Sequence, residues 1–150
     1  MTYLLDTNII ITYSRENELV ERIERDYALL GGRHEIYVFV ATLGEIDSYI
    51  KKNGIGRRKQ ELIQKTLDFT FQIDIGYPEI ISKYGDIDAF SQGKTKIGDH
   101  DFTARNMGKN DLWIAATASH YNLTLLTTDQ DFNHLDEVFI DLAYVPILEE

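Results

Sequence analysis

The chain has 150 residues, 43% of them hydrophobic, which is enough for one compact domain with a real core and too little for two. It contains no cysteine, so disulfides, thiolate catalysis and Cys-based zinc sites are excluded and a reducing compartment is expected. The formal net charge of -10 argues against a surface built throughout to grip phosphates.

Thr2 to Leu5 reads as an opening strand. Leu19, Val20, Ile23, Tyr27 and Leu30 recur at helical spacing, with Gly31-Gly32 as the stop. Ile36 to Val40, β-branched and aromatic, predicts a buried strand. A helix carrying Leu43, Ile46 and Ile50 on one face follows, ending near Asn53-Gly54. Another runs from about Arg57 to Phe69, and Phe71 to Ile75 is a candidate strand. Pro78 suits the first turn of a helix reaching Phe90. Gly93 to Lys109 is polar and aperiodic, and is expected to be a long loop. Asn110 is placed to cap a helix from Asp111 to about Tyr121, whose first turns are apolar nearly all round and therefore deeply buried. A strand over Thr124 to Thr127, a short helical turn at Phe132 and Leu135, and a last strand at Val138 to Ile140 complete the chain. Alternating strands and helices imply one α/β domain, a sandwich around a mostly parallel sheet. No signal peptide opens the sequence, and the longest apolar-rich run, Ile36 to Leu43, is too short to span a bilayer, so a cytoplasmic protein without membrane association is expected.

In open α/β sheets the ligand crevice lies beyond the carboxyl ends of the strands, and that is where four acids fall. Asp6 ends the first strand, Glu45 lies early in the helix after the second, Asp111 opens the buried helix and Asp129 follows the Thr124 to Thr127 strand, with Asp131 two residues on. Each has an ordinary structural explanation as a turn former or a helix-dipole partner. Their convergence does not, because two carboxylates about 5 Å apart repel by on the order of 3 kcal/mol at an effective dielectric near 20. Such a group needs a cation or raised pKa values, and oxygen ligands without His or Cys favour Mg2+ or Mn2+. A hard cation bound there would suit phosphodiester hydrolysis.

The segments Leu4-Leu5-Asp6-Thr7-Asn8, Thr42-Leu43-Gly44-Glu45-Ile46, Asn110-Asp111-Leu112-Trp113-Ile114-Ala115-Ala116-Thr117-Ala118 and Leu126-Thr127-Thr128-Asp129-Gln130-Asp131-Phe132 resemble the motifs of PIN-domain ribonucleases, nearest to VapC-type toxins of bacterial toxin–antitoxin pairs. The third segment is the most specific, and the likeness covers nearly the whole chain. The resemblance implies a PIN-like three-layer sandwich and an Mg2+- or Mn2+-dependent endoribonuclease acting on RNA such as tRNA or rRNA. It implies that Asp6, Glu45, Asp111 and Asp129 are the catalytic, metal-binding set, joined by Asp131 as a metal ligand, with Thr7, Asn8 and Thr127 in support. A homodimer and a small antitoxin partner are implied in the same way. The chain departs from the family pattern at Asp99 to Lys109, which reads as inserted before the third acid.

Lys51, Lys52, Arg57, Arg58 and Lys59 gather five of the 15 basic residues in one stretch, a candidate RNA-binding ridge or simply a solvated helix corner. Arg105, in the loop before Asp111, is a further candidate for a phosphate. His34, His100, His120 and His134 show no metal-ligand spacing, and Trp113 belongs to a core turn rather than a base-stacking platform. An aspartyl phosphatase would need a second acid where Asn8 stands, and a receiver domain would need a lysine that Val138-Phe139-Ile140-Asp141 does not supply. The remaining alternative is a catalytically silent module of the same fold that binds RNA or protein.

Overall fold

The computed structural model describes residues 1–98 and 101–147. Five strands, β1 (Thr2–Leu5), β2 (Glu35–Phe39), β3 (Thr70–Ile73), β4 (Thr124–Thr127) and β5 (Asp141–Tyr144), form one sheet in the order β3-β2-β1-β4-β5, and every pairing is parallel. The chain builds outward from β1 in one direction through β2 and β3, then returns to the other side of β1 for β4 and β5. The sheet therefore has its switch point between β1 and β4, where the flanking connections diverge and leave a crevice.

Strand alternation divides the core into two layers. Leu4, Phe39 and Leu125 face α5 (Pro78–Ser91) and α6 (Lys109–Tyr121), together with Ile80, Ile87, Phe90 and Leu112. Leu5, Val38 and Leu126 face the opposite layer, α1 (Thr7–Tyr13), α2 (Glu18–Tyr27), α3 (Val40–Asn53) and α4 (Arg57–Leu67), through Ile9, Ile10, Ile23, Ile46 and Ile63. This is the expected three-layer sandwich. In α6, Ala115, Ala116 and Ala118 are buried, and their small side chains let this helix sit close against the sheet. Trp113 is a packing residue, its ring 4.3 Å from that of Tyr84 on α5.

Some local expectations shift. The run Ile9-Ile10-Ile11-Thr12-Tyr13 is β-branched and gave no helical signal, yet it forms α1, in which six of the seven residues are buried. Burial between the sheet and its helical layer outweighs the weak β preference of those side chains. The last strand lies at Asp141–Tyr144 rather than Val138 to Ile140. The amides of Val138, Phe139 and Ile140 instead all donate to the Leu135 carbonyl, folding that apolar stretch back onto the 3-10 turn Gln130–Leu135. Helix α6 starts from Gly108, not Asn110, and Asn110 is an exposed residue of its first turn. Helix α2 ends at Tyr27 with Ala28 left-handed, three residues before Gly31. The long loop between α5 and α6 is as expected, although Asp99 and His100 lie outside the described residues. Among the described residues no helix is long and apolar enough to cross a membrane.

Candidate active site

Asp6 leaves β1 at the switch point, its amide donating to the Leu126 carbonyl of β4 at 3.0 Å. That backbone bond fixes the end of one central strand against the other. Asp6 is 4% exposed and caps α1 with Oδ1, which accepts from the Thr7 amide at 2.8 Å. Its Oδ2 accepts from the Thr127 hydroxyl at 2.7 Å. The same Thr127 oxygen accepts from the Asp129 amide at 3.0 Å, so one fully buried hydroxyl locks the two strand-end aspartates into one arrangement. The Thr7 hydroxyl reaches across to α3 and donates to Glu45 Oε1 at 3.1 Å. Asp129 in turn opens the 3-10 turn, its Oδ1 accepting from the Asp131 amide at 2.8 Å.

Asp111 enters from the other helical layer, in the first turn of α6. Gly108, the residue before that helix, lies so near that a Cβ built on it would stand 3.6 Å from Asp111 Oδ2. Asp111, Asp129 and Asp131 can each offer a carboxylate oxygen within 4.8 Å of the others. The crowding is visible in the acidities. Burial first, and then the charges of Asp6, Asp129, Glu45 and Asp131, push the Asp111 carboxyl up to about 7. Burial also raises Asp6, to about 6, with Asp129 and Glu45 adding to it and the bonds from Thr127 and Thr7 partly offsetting it. Five acids from four separate segments thus share one electrostatic environment, and in the absence of a cation Asp6 and Asp111 release their protons only near pH 6 and pH 7.

A cluster of this kind fits a hard divalent ion. All of its donors are carboxylate oxygens, three of them lie within reach of one ion, and a cation would displace the protons that the crowding retains. Of the expected supporting groups, Thr7 and Thr127 touch the acids directly. Asn8 is exposed at the mouth of the neighbouring groove, with its backbone carbonyl accepting from Thr12.

The basic candidates are placed differently. Lys51 pairs with Asp47 at 2.7 Å, Arg57 with Glu61 at 3.1 Å and Arg58 with Glu16 at 2.9 Å, all exposed. Three members of the expected ridge are therefore partly neutralised, though exposed pairs of this kind exchange partners at little cost. Lys52 is exposed near the end of α3. Arg105 is half-buried near His134: its amide donates to the Ser91 carbonyl at 2.8 Å, and its charge, after burial, lowers the His134 imidazole to about 4. His134 lies 2.7 Å from the Ser91 hydroxyl and against the Phe90 and Phe102 rings. It thereby ties the turn bearing Asp131 to α5 and to the loop before Asp111. The sequence carries no signal for this link, since Ser91 and His134 are 43 positions apart and neither spacing nor motif joins them.

A profile of the PIN domain family matches residues 3–138. Comparison of the sequence with curated proteins gives no match. Among solved structures, the chain is similar to VapBC2 from Rickettsia felis bound to a promoter DNA fragment, at 23% identity and a TM-score of 0.69, over 95% of this chain and 99% of that one. VapBC-1 from nontypeable Haemophilus influenzae is similar at 24% identity and 0.63, over 96% and 98% of the two chains. FitAcB from Neisseria gonorrhoeae is similar at 23% and 0.66, over 96% and 97%. At these identities the structural likeness speaks for the fold, and the profile match spans most of the sequence, acids included. The chain belongs to the PIN domain family.

Proposed function

We propose that the protein is a metal-dependent endoribonuclease and the toxin of a type II toxin–antitoxin pair. The observation that carries the reading is the convergence of Asp6, Glu45, Asp111, Asp129 and Asp131 at the sheet's switch point, with two of them driven towards neutral acidity by burial and by their neighbours. That convergence is costly unless a cation is part of the design.

In this reading Asp111, Asp129 and Asp131, with Asp6 behind them, hold Mg2+ or Mn2+. A bound ion of that kind polarises a phosphodiester oxygen, acidifies water and offsets charge on the departing oxygen. The protein's own groups do the rest. Thr127 holds Asp6 and Asp129 in one orientation, so neither carboxylate has to reorganise when substrate arrives. Thr7 orients Glu45, which is half-buried at the opening and placed to take the proton of an attacking water. Arg105, in the loop that precedes Asp111 and near His134, is the cation this reading offers to an incoming phosphate.

The toxin assignment draws on the company the fold keeps. The R. felis and H. influenzae structures are VapBC complexes, and the former is bound to promoter DNA. A small antitoxin would cover the acidic crevice and supply a basic side chain in place of the ion's charge, and a homodimer is the assembly we assign to the free toxin. The deciding experiment is cleavage of total cellular RNA with end mapping. Mg2+ or Mn2+ should support cutting that EDTA stops and that Glu45→Gln lowers at least a hundredfold, of the order expected when a general base is lost. No products from the parent would leave a binding module of the same fold, and equal products from parent and Glu45→Gln protein would refute Glu45 as the base.

A further inference from the structure

A groove of about 550 Å³ runs beside the acids, between the end of α1, the start of α2 and the outer face of α3. Its volume is that of a small-ligand site. None of the five acids lines it, but three of its lining residues stand close to them along the chain: Asn8 is two residues after Asp6, Thr128 precedes Asp129, and Tyr49 is one helical turn beyond Glu45 on α3. Its only basic lining residue among the described residues is Arg15, which is exposed just past the end of α1. Lys51, Arg57 and Arg58 each have an acid partner, whereas the Arg15 guanidinium has no hydrogen-bond or ion-pair partner among the described residues. An uncommitted guanidinium beside a cluster of carboxylates, on a chain of net charge -10, is suited to an anion that must approach those carboxylates. The half-buried Tyr49 ring, with Leu19, gives the same groove an aromatic and apolar wall.

We infer that this groove is a nucleotide subsite of the acid centre, in which Arg15 holds a phosphate of single-stranded RNA and the Tyr49 ring packs on the adjoining base. Phosphate and π-face are the two features that every nucleotide offers, so this subsite grips the strand without reading its sequence. Glu18, on the same rim, repels a phosphate, which confines the anion to the Arg15 end. The inference rests on RNA being the substrate, and it assigns the site by which an acidic protein holds one.

The test is binding, separated from cutting. Glu45→Gln protein with Mg2+ is titrated with a labelled single-stranded oligouridylate of about ten nucleotides over a range of salt. Adding Arg15→Gln should weaken binding roughly tenfold, as for one charge-assisted hydrogen bond. It should also flatten the slope of log K against log salt by about 0.7, the mark of one lost phosphate contact on a single strand. Tyr49→Ala should weaken binding and Tyr49→Phe restore it, because the ring and not the hydroxyl makes the contact. Lys65→Gln, exposed in the last turn of α4 and outside the groove, should change neither affinity nor slope. An unchanged slope in Arg15→Gln, an equal loss in Lys65→Gln, or no RNA binding at all overturns the subsite. Arg15-dependent binding by a parent protein that cuts no RNA retires the nuclease and keeps the subsite, while cutting with an unchanged slope does the reverse.

Discussion

Removing a buried charge at the centre of the site should make the metal-free protein more stable, and only at high pH. Asp6 is the group to change, being 4% exposed and raised from 3.8 to about 6. Because the folded state holds this proton more tightly than the unfolded chain, the carboxyl costs nothing below about pH 4; the penalty grows between pH 4 and 6 and is complete above that, at about 3 kcal/mol. Asp6→Asn removes the penalty but keeps only one good acceptor where the carboxylate had two, for Thr7 and Thr127, at a cost of about 1 kcal/mol. The variant should therefore gain about 2 kcal/mol at pH 8, or about 4–8 °C in thermal midpoint for a chain of this length, and lose about 1 kcal/mol at pH 4. Relief of Asp111, which feels the Asp6 charge, acts in the same direction at high pH. The assay is paired urea and thermal unfolding of parent and variant in EDTA from pH 4 to 8, where the difference between the two cancels the titration of the acids that do not feel the Asp6 charge. A difference that stays flat across that range, or a parent that gains on its variant as pH rises, refutes the electrostatic account of the cluster.

Two further outcomes follow from the same geometry. Saturating Mg2+ or Mn2+ should raise the midpoint of the parent by about 5–10 °C at a hundredfold excess over the dissociation constant, and Asp111→Asn should remove most of that gain in differential scanning calorimetry. Thr127→Val should cost about 1–3 kcal/mol by leaving Asp6 and the Asp129 amide without their shared partner, and should lower metal affinity by about 10–100-fold, measured by titration calorimetry.

Those elements whose apolar residues keep a clean period were legible from the sequence: β1, α3, α4, α5, α6 and β4 all fall within a few residues of expectation. Helix α1 was not legible, because its helical state is imposed by burial against the sheet while its own residues favour extended chain. The last strand was misplaced for a related reason. Val138, Phe139 and Ile140 look like a buried strand, and only the three amides converging on the Leu135 carbonyl reveal them as a folded-back turn. The meeting of the acids was legible because Asp6 and Asp129 follow strands, Asp111 lies in the first turn of α6 and Glu45 lies early in α3, positions that sheet topology brings to one end of the sheet. The connections among them were not. Thr127 to Asp6 spans 121 positions, and Ser91 to His134 spans 43, so neither follows from local pattern.

The same contrast explains how a strongly acidic chain can serve an anionic substrate. Net charge is a property of the whole surface, while binding is decided within roughly a Debye length, about 8 Å at physiological salt. The crevice gathers five carboxylates that a divalent ion would largely neutralise, and the cations proposed to meet a phosphate near it are Arg15, in the neighbouring groove, and Arg105, in the loop before Asp111. Without the ion the crevice is hostile to phosphate, and with it the two arginines decide the local sign. Metal and RNA should therefore bind cooperatively, each tightening the other by the same factor, as linkage between two sites requires.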